Sequence, residues 1–181
     1  MPNSNHDLQV FHHIGGFSAQ DVIDLAALSP HVRDRIPEIN EAFYARLLSH
    51  PDVARHIEGK LDQLKATHRS WLTELVGGVY DEAFWERQRQ IGRAHVRAHI
   101  PPLFVSSSMS FLRSELPRVV AEQETLDPVL MQRGLSALLR LLDLCQMLID
   151  KAYEDERLRR LSDATGMRPS LIENLIDLRA A

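Results

Sequence analysis

The sequence predicts an all-α fold, on three observations. Strand-like alternation is almost absent from its 181 residues. Apolar side chains recur instead at spacings of three and four, the period of a helix with one buried face. Prolines and glycines cut that pattern into segments of helix length. The length allows one domain with a sizeable core.

Ser18-Ala19-Gln20-Asp21 reads as a helix start, with Val22, Ile23, Leu25 and Leu28 following. Ser29-Pro30 is expected to end that segment. Pro37 restarts the helix after Ile36. From Glu38, Ile39, Phe43 and Leu47 share one face, with Tyr44 beside it. His50-Pro51-Asp52 closes this helix, and Val53 to Ile57 reads as a short connecting turn of helix. After Gly59, Leu61, Leu64, His68, Trp71, Leu72 and Leu75 form a strong stripe with Thr67 at its margin. Gly77-Gly78 ends it. Asp81 caps a helix carrying Phe84, Trp85, Gln88, Ile91, His95 and His99, which Pro101-Pro102 stops. A helix from Pro102 to about Gln123, kinked at Pro117, carries Phe104, Val105, Met109, Phe111 and Leu112. Asp127-Pro128 starts the most apolar helix, whose Leu135, Leu138, Leu139, Leu142, Cys145, Met147, Leu148 and Ile149 nearly encircle it. Such a helix is buried on most sides, which suggests a partner subunit over one face. Charged residues dominate after Tyr153. Thr165 to Pro169 breaks the chain before a last amphipathic segment from Ser170.

Composition narrows the function. The net charge of −4, with no basic stripe, argues against nucleic acid. One cysteine, Cys145, excludes an intramolecular disulfide and thiolate clusters, and its apolar context marks it as a buried structural thiol. No apolar run approaches membrane-span length, and the first residues lack the basic and apolar regions of a signal peptide. The expected location is the cytoplasm. No nucleophile constellation or phosphate-cradling loop is present.

The nine histidines are the compositional oddity. His95 and His99, spaced i, i+4, share one face of a regular helix. They could be part of a zinc site only with further ligands. One of them suffices as an axial ligand to haem iron, provided its second nitrogen is held by a carbonyl or carboxylate. Otherwise each is a satisfied, partly buried histidine. His68 lies on the apolar stripe. It is either a core-edge histidine, a second iron ligand or a distal hydrogen-bond donor. His6, His12, His13, His31, His50 and His56 sit in polar or terminal contexts and are expected in solvent. Tyr44, if buried, needs a partner for its hydroxyl, whether a carbonyl, a water or bound dioxygen.

Phe43-Tyr44 through His50-Pro51, Leu64 with Thr67, and Ile91-Gly92-Arg93-Ala94-His95-Val96-Arg97-Ala98-His99-Ile100-Pro101 together resemble the sensor globin domain of the globin-coupled sensors. The likeness spans about Ile36 to Tyr153. It implies a globin fold around haem b, with an N-terminal helical extension over about 1–35 and long C-terminal helices forming a homodimer bundle. It implies His95 as the proximal iron ligand; His99 stands where the family commonly has glycine. Tyr44 falls on the distal tyrosine, and Leu64 and Thr67 on the distal helix. His68, Ile91, Ile100 and Phe104 are expected to complete the cofactor pocket. The domain is then 1–153, and 154–181 is a helical connector toward a candidate fused output domain.

The expected function is a haem-based gas sensor, not an enzyme itself. O₂ is the expected ligand, with CO and NO as further candidates. Two rivals stand beside it. One is a cofactor-free sensor globin acting as a stress-signalling interaction module. The other is a metal-dependent helical enzyme using His68, His95 and His99.

Overall fold

The computed structural model describes residues 4–178. Among them are nine helices and no strand. In order they are α1 (Ser4–Gly15), α2 (Ala19–Arg33), α3 (Ile36–Leu48), α4 (Pro51–Ile57), α5 (Leu61–Leu75), α6 (Glu82–Arg97), α7 (Pro102–Ala121), α8 (Pro128–Thr165) and α9 (Pro169–Leu178).

The spine is α8, against which α2, α6, α7 and α9 pack. A second group, α3 with α4 and α5, rests on α7. Leu138, Leu141, Leu142 and Leu144 of α8 are fully buried with Leu25 and Leu28 of α2, Leu72 and Leu75 of α5, and Leu112 and Leu116 of α7. Each such leucine contributes roughly 1.5–3 kcal/mol of transfer free energy. Polar clasps add direction. Asp24 accepts from Arg133 at 2.6 and 3.0 Å, and Asp21 pairs with Arg140, so α2 is pinned to α8 at two points. Burial works to raise the Asp21 carboxyl. Hydrogen bonds from Arg140 and Ser18 outweigh it and hold the group below the ordinary carboxylate range.

Several boundaries differ from the sequence pattern. α1 falls in the N-terminal helical extension that the resemblance implied, although no stripe or cap marked it; its Leu8 is buried. α2 runs through Pro30 to Arg33, because Leu28, Ser29 and Val32 are buried around the proline. α3 begins at Ile36 with Pro37 in its first turn. α7 passes through Pro117 and ends at Ala121. α8 continues without interruption past Tyr153 to Thr165, where Gly166 adopts a left-handed cap with φ of 69°. α2, α6 and α7 of the same chain cover much of α8. The apolar ring around it therefore gives a narrower case for a partner subunit, resting on the exposed Val129, Leu139 and Leu161 and the half-buried Leu130, Met131, Leu135 and Met147.

α6 ends at Arg97, short of Ile100. His99 then turns the chain with φ of 55° and lies exposed. A left-handed backbone is what glycine tolerates and a Cβ resists. His99→Gly should therefore stabilise the protein by about 1 kcal/mol in urea unfolding. A loss of stability would show that the histidine side chain makes a favourable contact there.

Candidate functional site

The site is a cleft of about 240 Å³ bounded by α3, α4, α5, α6 and α7, with Ile149 of α8 at its floor. Its wall is mostly apolar. The imidazole of His95 enters from α6, while Tyr44 of α3 and His68 of α5 enter from other helices. Leu64, Ile91, Ile100 and Phe104 also line it, all half-buried. Thr67 reaches only the exposed rim, and its hydroxyl donates to the Gln63 carbonyl at 2.9 Å. All eight residues singled out in the sequence thus border one cleft.

α6 is placed by three devices. Asp81 caps it by accepting from the Phe84 N–H at 2.9 Å. Gly92 lets it touch α8: a Cβ there would sit 2.4 Å from the Ile149 carbonyl oxygen. Gln88, fully buried, accepts from Trp71 Nε1 at 2.8 Å and donates to the Phe84 carbonyl at 3.1 Å, tying α5 to α6.

These supports fix His95. Its Nδ1 lies 2.7 Å from the Ile91 carbonyl oxygen. A carbonyl only accepts, so the proton is on Nδ1 and Nε2 carries the lone pair. Burial lowers the imidazole pKa; the Ile91 bond opposes this without overcoming it, so the ring stays neutral near pH 7.

His68 is fixed in the same sense. Asn40 Nδ2 donates to the Lys65 carbonyl at 3.1 Å, which turns its Oδ1 toward His68 Nδ1 at 2.7 Å. That oxygen needs a proton from Nδ1, leaving Nε2 an acceptor. Phe43 and Trp71 stack on either side of the ring at 4.1 and 5.6 Å. Burial drops its pKa to about 4. A neutral His68 in this tautomer cannot donate to a bound gas, which removes the distal-donor reading. Tyr44 is different. Burial pushes its pKa up to about 12, and its hydroxyl has no protein partner among the described residues. It is the protonated donor of the cleft.

The His68 geometry predicts a pH effect in the cofactor-free protein. The unfolded chain gains a proton near pH 6.5, and the folded chain resists it until about pH 4. Stability is full above about 6.5 and falls as pH drops toward 4, by roughly 3 kcal/mol. His68→Gln should flatten that slope in urea titrations. An unchanged slope would place the acid-sensitive group elsewhere, His95 being next.

Other expectations change. His99 lies beyond the end of α6, exposed and outside the lining of the cleft, so it does not join His95 on one helical face. No group of three His, Cys, Asp or Glu side chains among the described residues could hold a metal, so His68, His95 and His99 do not come together as the metal site of the enzyme reading. His56, expected in solvent, is half-buried and lines the cleft beside Phe104. His12 and His31 are also half-buried, and His12 Nδ1 bonds the Phe17 carbonyl at 2.8 Å. Asn40, Gln88 and Tyr153 carry no local sequence signal for their roles, since their partners are remote in the chain.

An all-helical chain that closes six helices over an apolar cleft, with neutral imidazoles inside that offer a free Nε2, is a globin by architecture. The Protoglobin family model matches residues 4–159, and the chain belongs to that family. Among solved structures it is similar to the globin domain of a Geobacter sulfurreducens globin-coupled sensor. Identity is 25%, the match covers 80% of this chain and 96% of that one, and the TM-score is 0.74. The globin domain of E. coli DosC matches at 14% identity in two forms. The ferric form gives a TM-score of 0.63 over 74% of this chain and 90% of that one. The ferrous form gives 0.65 over 78% and 95%. These two support the fold alone. No helix of the described residues is long and apolar enough to cross a membrane.

The donor set suits a porphyrin: a neutral imidazole of fixed tautomer within apolar walls. The cleft is narrower than the roughly 300–1,000 Å³ of sites for drug-sized ligands. A macrocycle entering it must displace the half-buried rim, where Leu64, Ile91, Ile100 and Phe104 have room toward solvent.

Proposed function

We propose that this domain binds haem b through His95 and senses a diatomic gas, O₂ foremost, with CO and NO as further ligands. One observation carries the reading. A half-buried imidazole, held neutral with its Nε2 lone pair free, shares an apolar cleft with a phenol that has no partner among the described residues. Haem b would be held by His95 and would supply an iron able to bind a gas.

The chain's own residues do the rest. His95 holds the cofactor, and Ile91 keeps that imidazole from rotating. Tyr44 keeps its proton and donates a hydrogen bond to a polar gas. Leu64 limits water entry. Thr67, tied to Gln63 at the rim, guards the mouth and leaves the polar contact to Tyr44. We take 1–153 as the sensing domain and 154–181 as a connector toward an output domain, which would carry any catalysis. The working form is a cytoplasmic homodimer through the exposed apolar residues of α8.

The deciding experiment is the absorption spectrum of purified protein given hemin, oxidised and reduced, with and without O₂ or CO. A Soret band that shifts with each gas is expected. A protein that leaves hemin free would end this reading and favour the cofactor-free interaction module.

Tyr44→Phe isolates the donor. One neutral hydrogen bond is worth about 0.5–1.5 kcal/mol, and more toward a charged acceptor, so O₂ release should quicken roughly 3- to 30-fold. CO accepts hydrogen bonds poorly, and its release should change little. Equal effects on both gases in stopped-flow traces would reject the role.

A further inference from the structure

The proximal side of the cleft contains a closed ring of contacts that the gas-binding reading does not use. The Tyr153 ring of α8 lies against the His95 imidazole, with centroids 6.2 Å apart and planes 26° from parallel. Its hydroxyl donates to the Ile100 carbonyl at 2.8 Å. The Ile100 N–H in turn donates to the His95 carbonyl at 3.0 Å. One tyrosine therefore stacks, offset, beside the imidazole and bonds the turn behind it by its hydroxyl. Tyr153 is buried, and its burial together with the Asp150 carboxylate keeps the phenol protonated.

What lies beyond Tyr153 gives the ring a direction. α8 runs on unbroken for three more turns to Thr165. Glu156, one turn away, is locked by Arg159 and Arg160, which stiffens that stretch. α9 then packs back on α8. Gly92 and Ala152 hold the two helices in contact just beside the ring, so a displacement of α6 reaches α8 without slack.

We propose that Tyr153 is the positioning residue that sets the His95 imidazole and couples it to the C-terminal half of α8. The proposal rests on the haem reading, since its signal starts at the imidazole–iron contact. Rotation or tilt of the ring on gas binding presses on the tyrosine face. The Ile100 bond converts that push into a shift of α8 relative to the turn between α6 and α7.

The test uses the haem-loaded full chain. Resonance Raman scattering reads the iron–histidine stretching band of the ferrous gas-free protein, which a merely structural residue would not move. Tyr153→Phe keeps the ring and removes the hydroxyl. Tyr153→Leu removes both. The band should shift in Phe and shift further in Leu. Hydrogen exchange over residues 154–165 should differ between gas-free and CO-bound protein, and that difference should disappear in Leu. If Leu does not fold, the Phe variant decides alone. Variants that retain haem with the band at its original position would overturn the proposal. A native protein that shows no iron–histidine band at all would instead defeat the haem reading, and this proposal with it.

Discussion

Replacing His95 by alanine should leave a folded protein that no longer holds haem in its native spectral form. The fold survives because the His95 side chain contributes no hydrogen bond between helices: its one bond is to the Ile91 carbonyl, a turn earlier on α6. Removing the ring also relieves a buried polar group, so the cost in stability is small beside the loss of ligation. Losing an outer partner of a metal ligand typically lowers affinity about 10- to 100-fold, and losing the ligand itself must exceed that. The remaining nitrogen bases in the cleft do not replace it. His68 is clamped by Phe43, Trp71 and Asn40, and His56 sits by Phe104 on another wall. Added imidazole should partly restore the spectrum, because the vacated space and the path to it are the size of the lost ring. The measurement is a hemin titration followed by the Soret band. A band of unchanged position and intensity in the variant would mean that another residue ligates the iron.

The helices were legible because each is bounded by a local signal: Asp81 and Asp127 as caps, Gly59 and Gly166 as stops, and prolines at first turns. The cleft was legible in outline for a different reason. His95, Tyr44 and Leu64 fall into motifs whose spacing along the chain matches that of a known family. What escaped has non-local causes. Pro30 does not end α2, since burial of Leu28 and Val32 against distant residues outweighs one missing N–H. The early stop of α6 at Arg97 depends on a left-handed His99, which propensity does not foresee. α1 carries Leu8, Val10, Phe11 and Ile14, of which only Leu8 and Phe11 pack on the core while Val10 and Ile14 lie exposed, so the buried pair is not marked out until the rest of the chain is beneath it. Asn40 looks like any helical asparagine. Only the Lys65 carbonyl, 25 residues on, turns it into the group that decides which nitrogen of His68 carries the proton. Hydrogen-bond direction of this kind has no period in a sequence.

Gly92→Ala tests whether the proximal wall is built as described, and it should destabilise the protein by about 2 kcal/mol or more. Within an isolated helix the same change would stabilise by about 1 kcal/mol, since glycine is a poor helix former. The sign reverses because of what the new methyl meets. It would lie 2.4 Å from the Ile149 carbonyl oxygen and 2.8 Å from the Ala152 Cβ. Neither can swing away, the first being backbone and the second having no rotamer. α6 must then back off α8, and overpacking of this kind costs about 1–3 kcal/mol and sometimes more. The displacement does not stay local. His95 follows Gly92 by three residues on the same helix, while Tyr153 follows Ala152 directly on α8, so the His95–Tyr153 stacking opens as the helices part. Urea unfolding of the cofactor-free chain reads the first effect, and hemin affinity the second. Both should fall together. A variant as stable as the parent would mean that α6 and α8 are not in backbone contact at Gly92, and the placement of His95 would lose its foundation.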